Sequence, residues 1–361
     1  MRHWMPLLGV ALGHRDALEA VPAAAEWEAL FAESRRQSLV AVLFSAVGRL
    51  PAAQRPPRGL LLRWMAAARQ VVETNRRLAA EVSCVVATLE RDGFPVVLLK
   101  GCGVARYYPK PELRMCGDID LWTGAKASEI WAYSRRYGAC PRATCLHVDL
   151  PLSKCARVEV HYLPSFKYNP FGQARLKRWF AAEAPQQFAH RVRWDRSSMQ
   201  VAVPTERFDR IYLLLHLYRH FLGEGVGLRH LMDYYYLLSR GVTEEERLSA
   251  QADLRRLGLT RFARSVMYVM VNVFGLPEAH CLLTPDAVRG ARLLEEVRLT
   301  GNFGLSDLRY KHPSAGLGRP ARFVRKCRRV FRFFQDDPLE VLSVPFFIMA
   351  HFLWRKWKGF V

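Results

Sequence analysis

Two aspartates separated by one residue, Asp118 and Asp120, are the residues of this sequence best placed to do chemistry. If they lie on a strand, alternation puts both carboxylates on one face and turns Ile119 and Leu121 towards the core. At a rise of about 3.3 Å per residue, the two carboxylates would lie about 7 Å apart and could share a pair of hard divalent cations. Such a pair is typical of phosphoryl and nucleotidyl transfer, in which one ion activates a hydroxyl and the other neutralises the triphosphate.

A glycine turn precedes the aspartates and follows the apolar run 96–99. It consists of Lys100, Gly101, Cys102 and Gly103. Glycine lets backbone N–H groups approach phosphates closely, and a lysine beside such a turn can add positive charge. A solvated lysine at the end of a strand is the alternative interpretation. The turn is therefore a candidate phosphate-binding element.

Further residues match, in order, the pattern of a known family. The matching residues are Leu99-Lys100-Gly101, Tyr108, Arg114, Asp118-Ile119-Asp120-Leu121 and Glu159-Val160-His161. On these residues, the segment 93–165 resembles the poorly characterised bacterial branch of the polymerase-beta-type nucleotidyltransferases, with weaker similarity before it and at 205–240. An Asp-x-Asp pair alone occurs by chance on many exposed strands, whereas the ordered set is a much stronger signal.

The resemblance implies transfer of a nucleoside monophosphate from a nucleoside triphosphate to a hydroxyl acceptor, with Mg²⁺ or Mn²⁺ as cofactor. Asp118, Asp120 and Glu159 would hold the metals, or Glu159 would take the proton of the acceptor. His161 would tune the site or bind the acceptor. Asp149 is a rival for the third carboxylate, although the position in the family pattern favours Glu159.

The resemblance also places nucleotide contacts on Lys100, Gly101, Cys102 and Gly103. The wider superfamily has glycine followed by glycine or serine, so the cysteine here removes an expected hydroxyl contact, and Lys100 could supply a charge instead. Arg114 could contact the triphosphate. An ordinary loop arginine is the competing interpretation, because arginine is common throughout this chain.

The elements that must position these residues indicate an α/β (α+β) fold, with a small mixed sheet flanked by helices. We expect an N-terminal helical region at 1–92, a nucleotidyltransferase core at 93–203 and a C-terminal helical domain at 204–361. Further expectations are two short helices in 1–50, a proline-marked linker at 51–57, a long helix at 60–91, a hairpin pairing 146–152 with 157–163, and an irregular basic segment at 165–203.

Five further polar residues lie on the predicted helices. Asn75 is expected on the exposed face of the long helix. His216 and His220 share a face of a helix that Thr205 should cap, but zinc sites need three or four ligands and no third is evident. Asp233 on the next helix could face the nucleotide together with Arg229, or the two could form a local ion pair.

Composition restricts partners and location. The 54 Lys and Arg against 33 Asp and Glu give a net charge of +21, which favours nucleic acid, nucleotides or anionic lipid as partners, unless it reflects only a biased composition. The eight cysteines have no paired C-x-x-C spacing and indicate reduced thiols in a cytoplasmic protein. No signal peptide is recognised, and the 14-residue run from Val341 to Trp354 is too short to span a bilayer.

The C-terminal region is basic and aromatic. Residues 319–332 contain seven basic residues interleaved with aromatic and aliphatic ones, and the chain ends in a second basic aromatic stretch at 352–358. Such a helix could lie on the inner face of an anionic membrane, bind RNA, or dock its apolar side on the domain. The acceptor could be a small molecule, a protein or RNA. The competing class is a non-catalytic protein of this fold that binds nucleic acid or membrane through this region.

Overall fold

A mixed six-stranded sheet forms the centre of the protein. The computed structural model describes residues 3–138, 142–194, 199–304, 307, 309 and 318–360, so Cys140 lies outside the described residues. The strands are β1 (Val96–Leu98), β2 (Ile119–Thr123), β3 (His147–Leu150), β4 (Val158–His161), β5 (Arg191–Arg193) and β6 (Gln200–Ala202). Their order is β3-β4-β2-β1-β6-β5. β2 pairs in parallel with β4 and β1 with β6, while the other neighbours are antiparallel.

Helices cover both faces of this sheet, which confirms the expected α/β class with helical flanks. In chain order they are α1 (Trp4–Leu12), α2 (Ala24–Arg36), α3 (Val40–Arg49), α4 (Arg58–Arg91), α5 (Cys102–Ala105), α6 (Ala127–Ser134), α7 (Pro170–Ala189), α8 (Glu206–Gly223), α9 (Leu228–Leu238), α10 (Glu244–Arg256), α11 (Thr260–Asn272), α12 (Ala287–Thr300), α13 (Arg319–Phe331) and α14 (Pro338–Trp357).

Local signals placed several elements correctly. The long helix predicted at 60–91 is α4. The predicted hairpin is the β3–β4 pair, with Val148 opposite Val160. The hydroxyl of Thr205 accepts a hydrogen bond from the N–H of Phe208, as expected of the residue that caps α8. These elements depend on short-range patterns, which a single sequence displays.

Two expectations about the elements were wrong. Residues 1–50 form three helices rather than two. The segment 165–203, expected to be irregular, contains α7 and the strands β5 and β6. The amide of Asn169 caps α7 by accepting from the N–H of Gly172, and the helix buries Trp179 and Phe180. Pro185 inside this helix hid the pattern, because proline usually ends a helix.

The sheet separates two hydrophobic clusters. One face packs on α4 and α6 through residues such as Val82, Leu98 and Val160. The other face joins a larger cluster with members in all three expected regions, among them Trp64, Trp122 and Phe208. The rings of Trp122 and Phe208 stack with centroids 5.8 Å apart, so α8 lies directly over this face. On β2 and β4, the residues that alternate with Ile119, Leu121, Val158 and Val160 therefore point towards α8.

None of the helices among the described residues combines the length and the apolar composition that crossing a bilayer requires. The apolar run 341–354 forms most of α14, whose inner side packs on the protein. Val341 and Val344 are buried, and the ring of Phe347 stacks on Phe166 at 4.8 Å between centroids. The inner side of α14 is therefore covered by the protein.

Candidate active site

Strand register brings the acidic residues together on the sheet face covered by α8. Asp120 on β2 lies directly opposite Glu159 on β4. Glu159 in turn lies opposite Asp149 on β3. Asp118 immediately precedes β2, two residues from Asp120, and is exposed. Because side chains alternate along a strand, all four carboxylates lie on one side of the sheet.

Asp120 is buried and paired with two nitrogen atoms. Its Oδ1 lies 2.9 Å from the Nζ of Lys100 and 3.1 Å from the Nε2 of His161. Burial alone would raise the pKa of this carboxyl, but the charge of Lys100 and the hydrogen bond from His161 hold the pKa well below its usual range. Asp120 is therefore ionised at neutral pH although it is only 4% exposed.

Asp118 has a different environment from Asp120. Partial desolvation, followed by the negative charges of Asp120 and Glu159, raises the pKa of its carboxyl. A divalent cation would relieve this repulsion, since an ion between carboxylates replaces like-charge contacts with favourable ones.

Glu159 lies among two histidines and an arginine. Its Oε2 is 3.3 Å from the Nε2 of His161 and 3.6 Å from the Nδ1 of His147, and its Oε1 is 3.1 Å from the Nη1 of Arg157. Burial acts to raise the pKa of Glu159, but the hydrogen bond from His161 lowers it overall. Burial, with the nearby charge of His161, lowers the pKa of His147 to about 3, so this imidazole is neutral at pH 7.

The rival carboxylate, Asp149, shares Arg157 with Glu159 but binds it through both of its oxygens. Its two oxygens accept hydrogen bonds from the Nε and Nη2 of Arg157 at 2.8 and 2.9 Å. This fork-shaped pair occupies Asp149, whereas Glu159 faces the cavity. The geometry therefore favours Glu159 over Asp149 as the third carboxylate.

The donor set fits a divalent cation. His147, Glu159 and His161 each offer one ligand atom, and these atoms lie within 4.8 Å of one another. Among the described residues, the Nε2 of His147 and the Nδ1 of His161 are buried without a hydrogen-bond partner. Carboxylates suit Mg²⁺ and Mn²⁺, and imidazole adds affinity for transition metals.

The glycine turn packs tightly against the chain around it. Gly101 has φ +65°, and a Cβ there would lie 3.2 Å from the carbonyl oxygen of Asp118. A Cβ on Gly103 would lie only 2.8 Å from the carbonyl oxygen of Leu98. Lys100 and Gly101 line the cavity, while Cys102 and Gly103 are buried behind it. A hydrogen bond with Cys116, together with burial, raises the pKa of the Cys102 thiol. The nucleotide contacts expected of Cys102 and Gly103 stay a prediction.

Arg114 is buried in an ion pair. Its Nε and Nη2 donate to the two oxygens of Asp233 at 2.7 Å each, and the hydroxyl of Tyr108 donates to the same carboxylate. The local helix pair expected for Asp233 is not formed with Arg229, whose Nη1 donates instead to the carbonyl of Met115. Arg114 lines the cavity but is committed to Asp233, and its contact with a triphosphate stays a prediction.

Asn75 was expected on an exposed helix face, and this was wrong. Its side chain is 8% exposed and donates to the carbonyls of Glu112 and Arg114 at 2.7 Å each. The N–H of Cys116 donates to its Oδ1 at 3.4 Å. The long helix α4 thereby holds the loop that leads into β2 and Asp118.

These residues open into a cavity of about 670 Å³. Its floor is the acidic face of the sheet, and its walls come from distant parts of the chain, including Phe166, Lys326, Phe347 and His351. The volume lies within the range typical of small-molecule sites. The cavity therefore has room for a nucleotide above the carboxylates.

A cluster of three histidines forms another wall of the cavity. His216 and His220 of α8 have ring centroids 4.3 Å apart, and His230 of α9 lies 5.9 and 5.8 Å from them. Burial, with nearby positive charges, lowers the pKa of His216 and His230 well below the usual value and that of His220 to about 4. The three imidazoles are therefore neutral at pH 7. The spacing in the sequence indicated that His216 and His220 are neighbours, but it could not show that His230 lies beside them.

Two site residues were missed at the sequence level, His147 and Arg157. Both alternate with residues already singled out, His147 with Asp149 and Arg157 with Glu159. The register of the predicted hairpin, 146–152 against 157–163, would place His147 opposite Tyr162, whereas the structure pairs His147 with His161. A shift of one residue moves a side chain to the other face of the sheet, so the predicted hairpin alone could not place His147 in the site.

Comparison with known proteins agrees with this geometry. The family model described as uncharacterised nucleotidyltransferase matches residues 23–275, which include the whole sheet, α8, α9 and the acidic residues. No curated protein matches the chain. Since the match extends over well more than half of the sequence, the chain belongs to the uncharacterised nucleotidyltransferase family.

Proposed function

We propose that this protein transfers a nucleoside monophosphate from a nucleoside triphosphate to a hydroxyl group of an acceptor. The observation that carries the proposal is the meeting of Asp118, Asp120 and Glu159 on one sheet face, beside the Lys100-Gly101 turn and inside a cavity. Membership of the family supports nucleotidyl transfer in general. The metal-dependent mechanism and the roles of individual residues are our inference from the site.

Asp118, Asp120 and Glu159 would hold the divalent cations, Mg²⁺ or Mn²⁺. When bound, the ions would lower the pKa of the attacking hydroxyl and add positive charge at the triphosphate. The lowered pKa of Glu159 makes its carboxylate a weak proton acceptor, which favours its role as a ligand over that of a base. His161 and His147 add nitrogen donors beside it, so we expect Mn²⁺ to bind more tightly than Mg²⁺.

The remaining residues would position the nucleotide. Lys100 and the backbone of Gly101, which line the cavity, would face the phosphates, while Cys102 and Gly103 would shape the turn behind them. The acceptor oxygen would form a bond to the α-phosphorus, the proton of its hydroxyl would leave to solvent water, and the bond from the α-phosphorus to pyrophosphate would break. Arg114 would act by holding Asp233 and the loop before β2, in addition to any contact with the triphosphate.

The acceptor is a small molecule, a protein or RNA in this proposal. The net charge of +21 gives some preference to RNA.

A cytoplasmic location fits the free thiols of the described cysteines. Contact with an anionic membrane surface through the C-terminal region is a separate part of the proposal. A protein of this fold without catalysis is the alternative. Against it stands Asp118, whose pKa is raised by partial desolvation and by the charges of Asp120 and Glu159, a repulsion that a bound cation would relieve.

The test is label transfer from each α-labelled nucleoside triphosphate, with Mg²⁺ or Mn²⁺ and a cell extract as acceptor. We expect the wild type to label one class of acceptor. The Asp118→Asn/Asp120→Asn variant should lose transfer by at least about a thousandfold, or about 4 kcal/mol, because the charge of the cations is no longer held at the phosphates.

A matched control is Glu129→Gln, which changes an exposed carboxylate on α6 whose capping hydrogen bond an amide can still accept. This variant should transfer label like the wild type. Equal transfer by the wild type and the double aspartate variant would contradict the proposal. Metal-independent nucleotide binding without transfer by any of the three proteins would favour the non-catalytic alternative.

A further inference from the structure

The helix α14 has two apolar faces, and only one is covered by the protein. Its inner side buries Val341 and Val344 and contributes Phe347 and Ile348 to the cavity. Its outer side exposes large apolar side chains with 46–77% of their surface accessible. They are Leu339, Leu342, Phe346, Met349, Leu353 and Trp357, which we call the outer stripe.

The outer stripe is continuous along the helix. Its members follow one another at intervals of three or four residues, the spacing that keeps side chains on one face of an α-helix. From Leu339 to Trp357 the row extends for about 27 Å at the usual helical rise. Single exposed apolar residues are ordinary, but a row of six marks a surface that is covered by a partner.

The exposed charged side chains of the segment that carries the outer stripe are all positive. Residues 319–360 contain ten Lys and Arg and three acidic residues. All three acids are turned into the protein: Asp336 pairs with Arg289 at 3.2 Å, Asp337 accepts from the hydroxyl of Tyr218 at 2.7 Å, and Glu340 is buried. The cations Arg322, Arg328, Lys356 and Lys358 are exposed. Lys356 and Lys358 flank Trp357 in the chain, so positive charge lies beside the C-terminal end of the outer stripe.

This combination favours one partner. A second copy of the chain on this surface would bring like charges together, which disfavours a dimer. RNA would neutralise the positive charge but would leave the Leu, Phe and Met side chains of the outer stripe without an apolar contact. A bilayer with anionic headgroups satisfies both features. Trp357 lies at the basic end of the stripe, with the Nζ of Lys358 at 4.2 Å from its ring centroid, an arrangement suited to the boundary between headgroups and acyl chains.

We propose that the outer stripe of α14 docks the protein on an anionic phospholipid surface, with the helix lying in the plane of the interface. The inner face of the same helix lines the cavity, so docking places the cavity about one helix diameter, roughly 10 Å, from the lipid. Docking uses neither nucleotide nor cation, and its test is therefore independent of the proposed transfer reaction.

The test is flotation of the full-length protein with vesicles at low ionic strength, without nucleotide. We expect binding to vesicles of equal parts phosphatidylglycerol and phosphatidylcholine, and little binding to phosphatidylcholine alone. Phe346→Ser/Trp357→Ser should bind the anionic vesicles at least about tenfold more weakly, because two large apolar side chains no longer enter the bilayer. Lys356→Glu/Lys358→Glu should weaken binding to the anionic vesicles as well.

The matched control is Phe171→Ser/Val288→Ser, which removes two apolar side chains with exposures of 68% and 74% on α7 and α12. It should bind like the wild type. All four positions are exposed, so we expect folding to be retained, which circular dichroism would check. The proposal is overturned if the wild type does not float, or if the outer-stripe variant floats equally well. It is also overturned if loss of the stripe abolishes dimerisation or RNA binding instead.

Discussion

Two buried ion pairs set the charges of the candidate site. Lys100 neutralises Asp120 at the floor of the cavity, and Arg114 neutralises Asp233 at its side. The two pairs differ in exposure, because the side chain of Lys100 is 18% exposed whereas that of Arg114 is 4% exposed. Lys100 is therefore the more accessible of the two cationic side chains, while Arg114 is fixed by the packing around it.

The first prediction concerns Arg114. Arg114→Leu should lower the free energy of unfolding by about 3–5 kcal/mol, since it leaves the charge of Asp233 buried with the hydroxyl of Tyr108 as its remaining hydrogen-bond partner among the described residues. The double variant Arg114→Leu/Asp233→Leu should recover part of this loss, because no unpaired charge remains. Urea unfolding of the three proteins measures both effects. If both single and double variants are as stable as the wild type, the pair does not stabilise the fold.

At the level of elements, the site depends on a loop that a helix holds in place. Residues 112–116 lie between the glycine turn and β2, and their carbonyls and N–H groups bind the side chain of Asn75 on α4. This explains why a polar residue occurs on the buried side of an otherwise apolar helix face. The position of Asp118 follows from this contact.

The second prediction tests that contact. Asn75→Ala should lower the free energy of unfolding by about 2–3 kcal/mol, because two buried carbonyl groups lose their hydrogen-bond donor. It should also weaken Mn²⁺ binding, measured by electron paramagnetic resonance of the free ion, since Asp118 loses its support. Gln70→Ala, on the exposed face of α4, is the control and should change neither quantity. Unaltered stability in Asn75→Ala would refute the role of the contact.

Across the whole molecule, the three expected regions share one hydrophobic cluster. Trp64, Trp122 and Phe208 belong to it, although they come from the N-terminal, central and C-terminal regions. The division into 1–92, 93–203 and 204–361 stays a prediction about domains. The same cluster borders the three histidines of the cavity wall, whose neutral state is a condition of folding.

The third prediction is a loss of stability in mild acid. The folded protein keeps His216, His220 and His230 neutral, whereas the unfolded chain protonates them near pH 6.5. Below that pH the unfolded state binds more protons, so the free energy of unfolding should fall between pH 6.5 and 5. Each group contributes up to about 1.4 kcal/mol per pH unit.

A variant with glutamine at all three positions separates this effect from other titrations. Its free energy of unfolding should depend much less on pH between 6.5 and 5 than that of the wild type, whatever its absolute stability. Denaturant unfolding at several pH values measures the slope. Equal slopes in the two proteins would show that these histidines are not the source of the acid sensitivity.

The sequence by itself determined the features that depend on short-range patterns. The alternation around Asp118 and Asp120, the cap at Thr205 and the hairpin carrying Glu159 are visible because each follows from the geometry of one element. The order of the motif residues was sufficient to identify the family, which the match to residues 23–275 confirms. The roles of the individual site residues stay predictions.

Only the tertiary structure decided which distant residues meet. The pairing of Arg114 with Asp233, separated by 119 residues, and the burial of Asn75 against the loop before β2 both arise from long-range packing. The helix α7 was missed because it contains a proline, which locally disfavours a helix. The packing of its aromatic residues on α8 stabilises the helix by more than the proline destabilises it. The outer stripe also became visible only in the tertiary structure. A sequence shows that a helix is apolar, but not which of its faces the fold leaves uncovered.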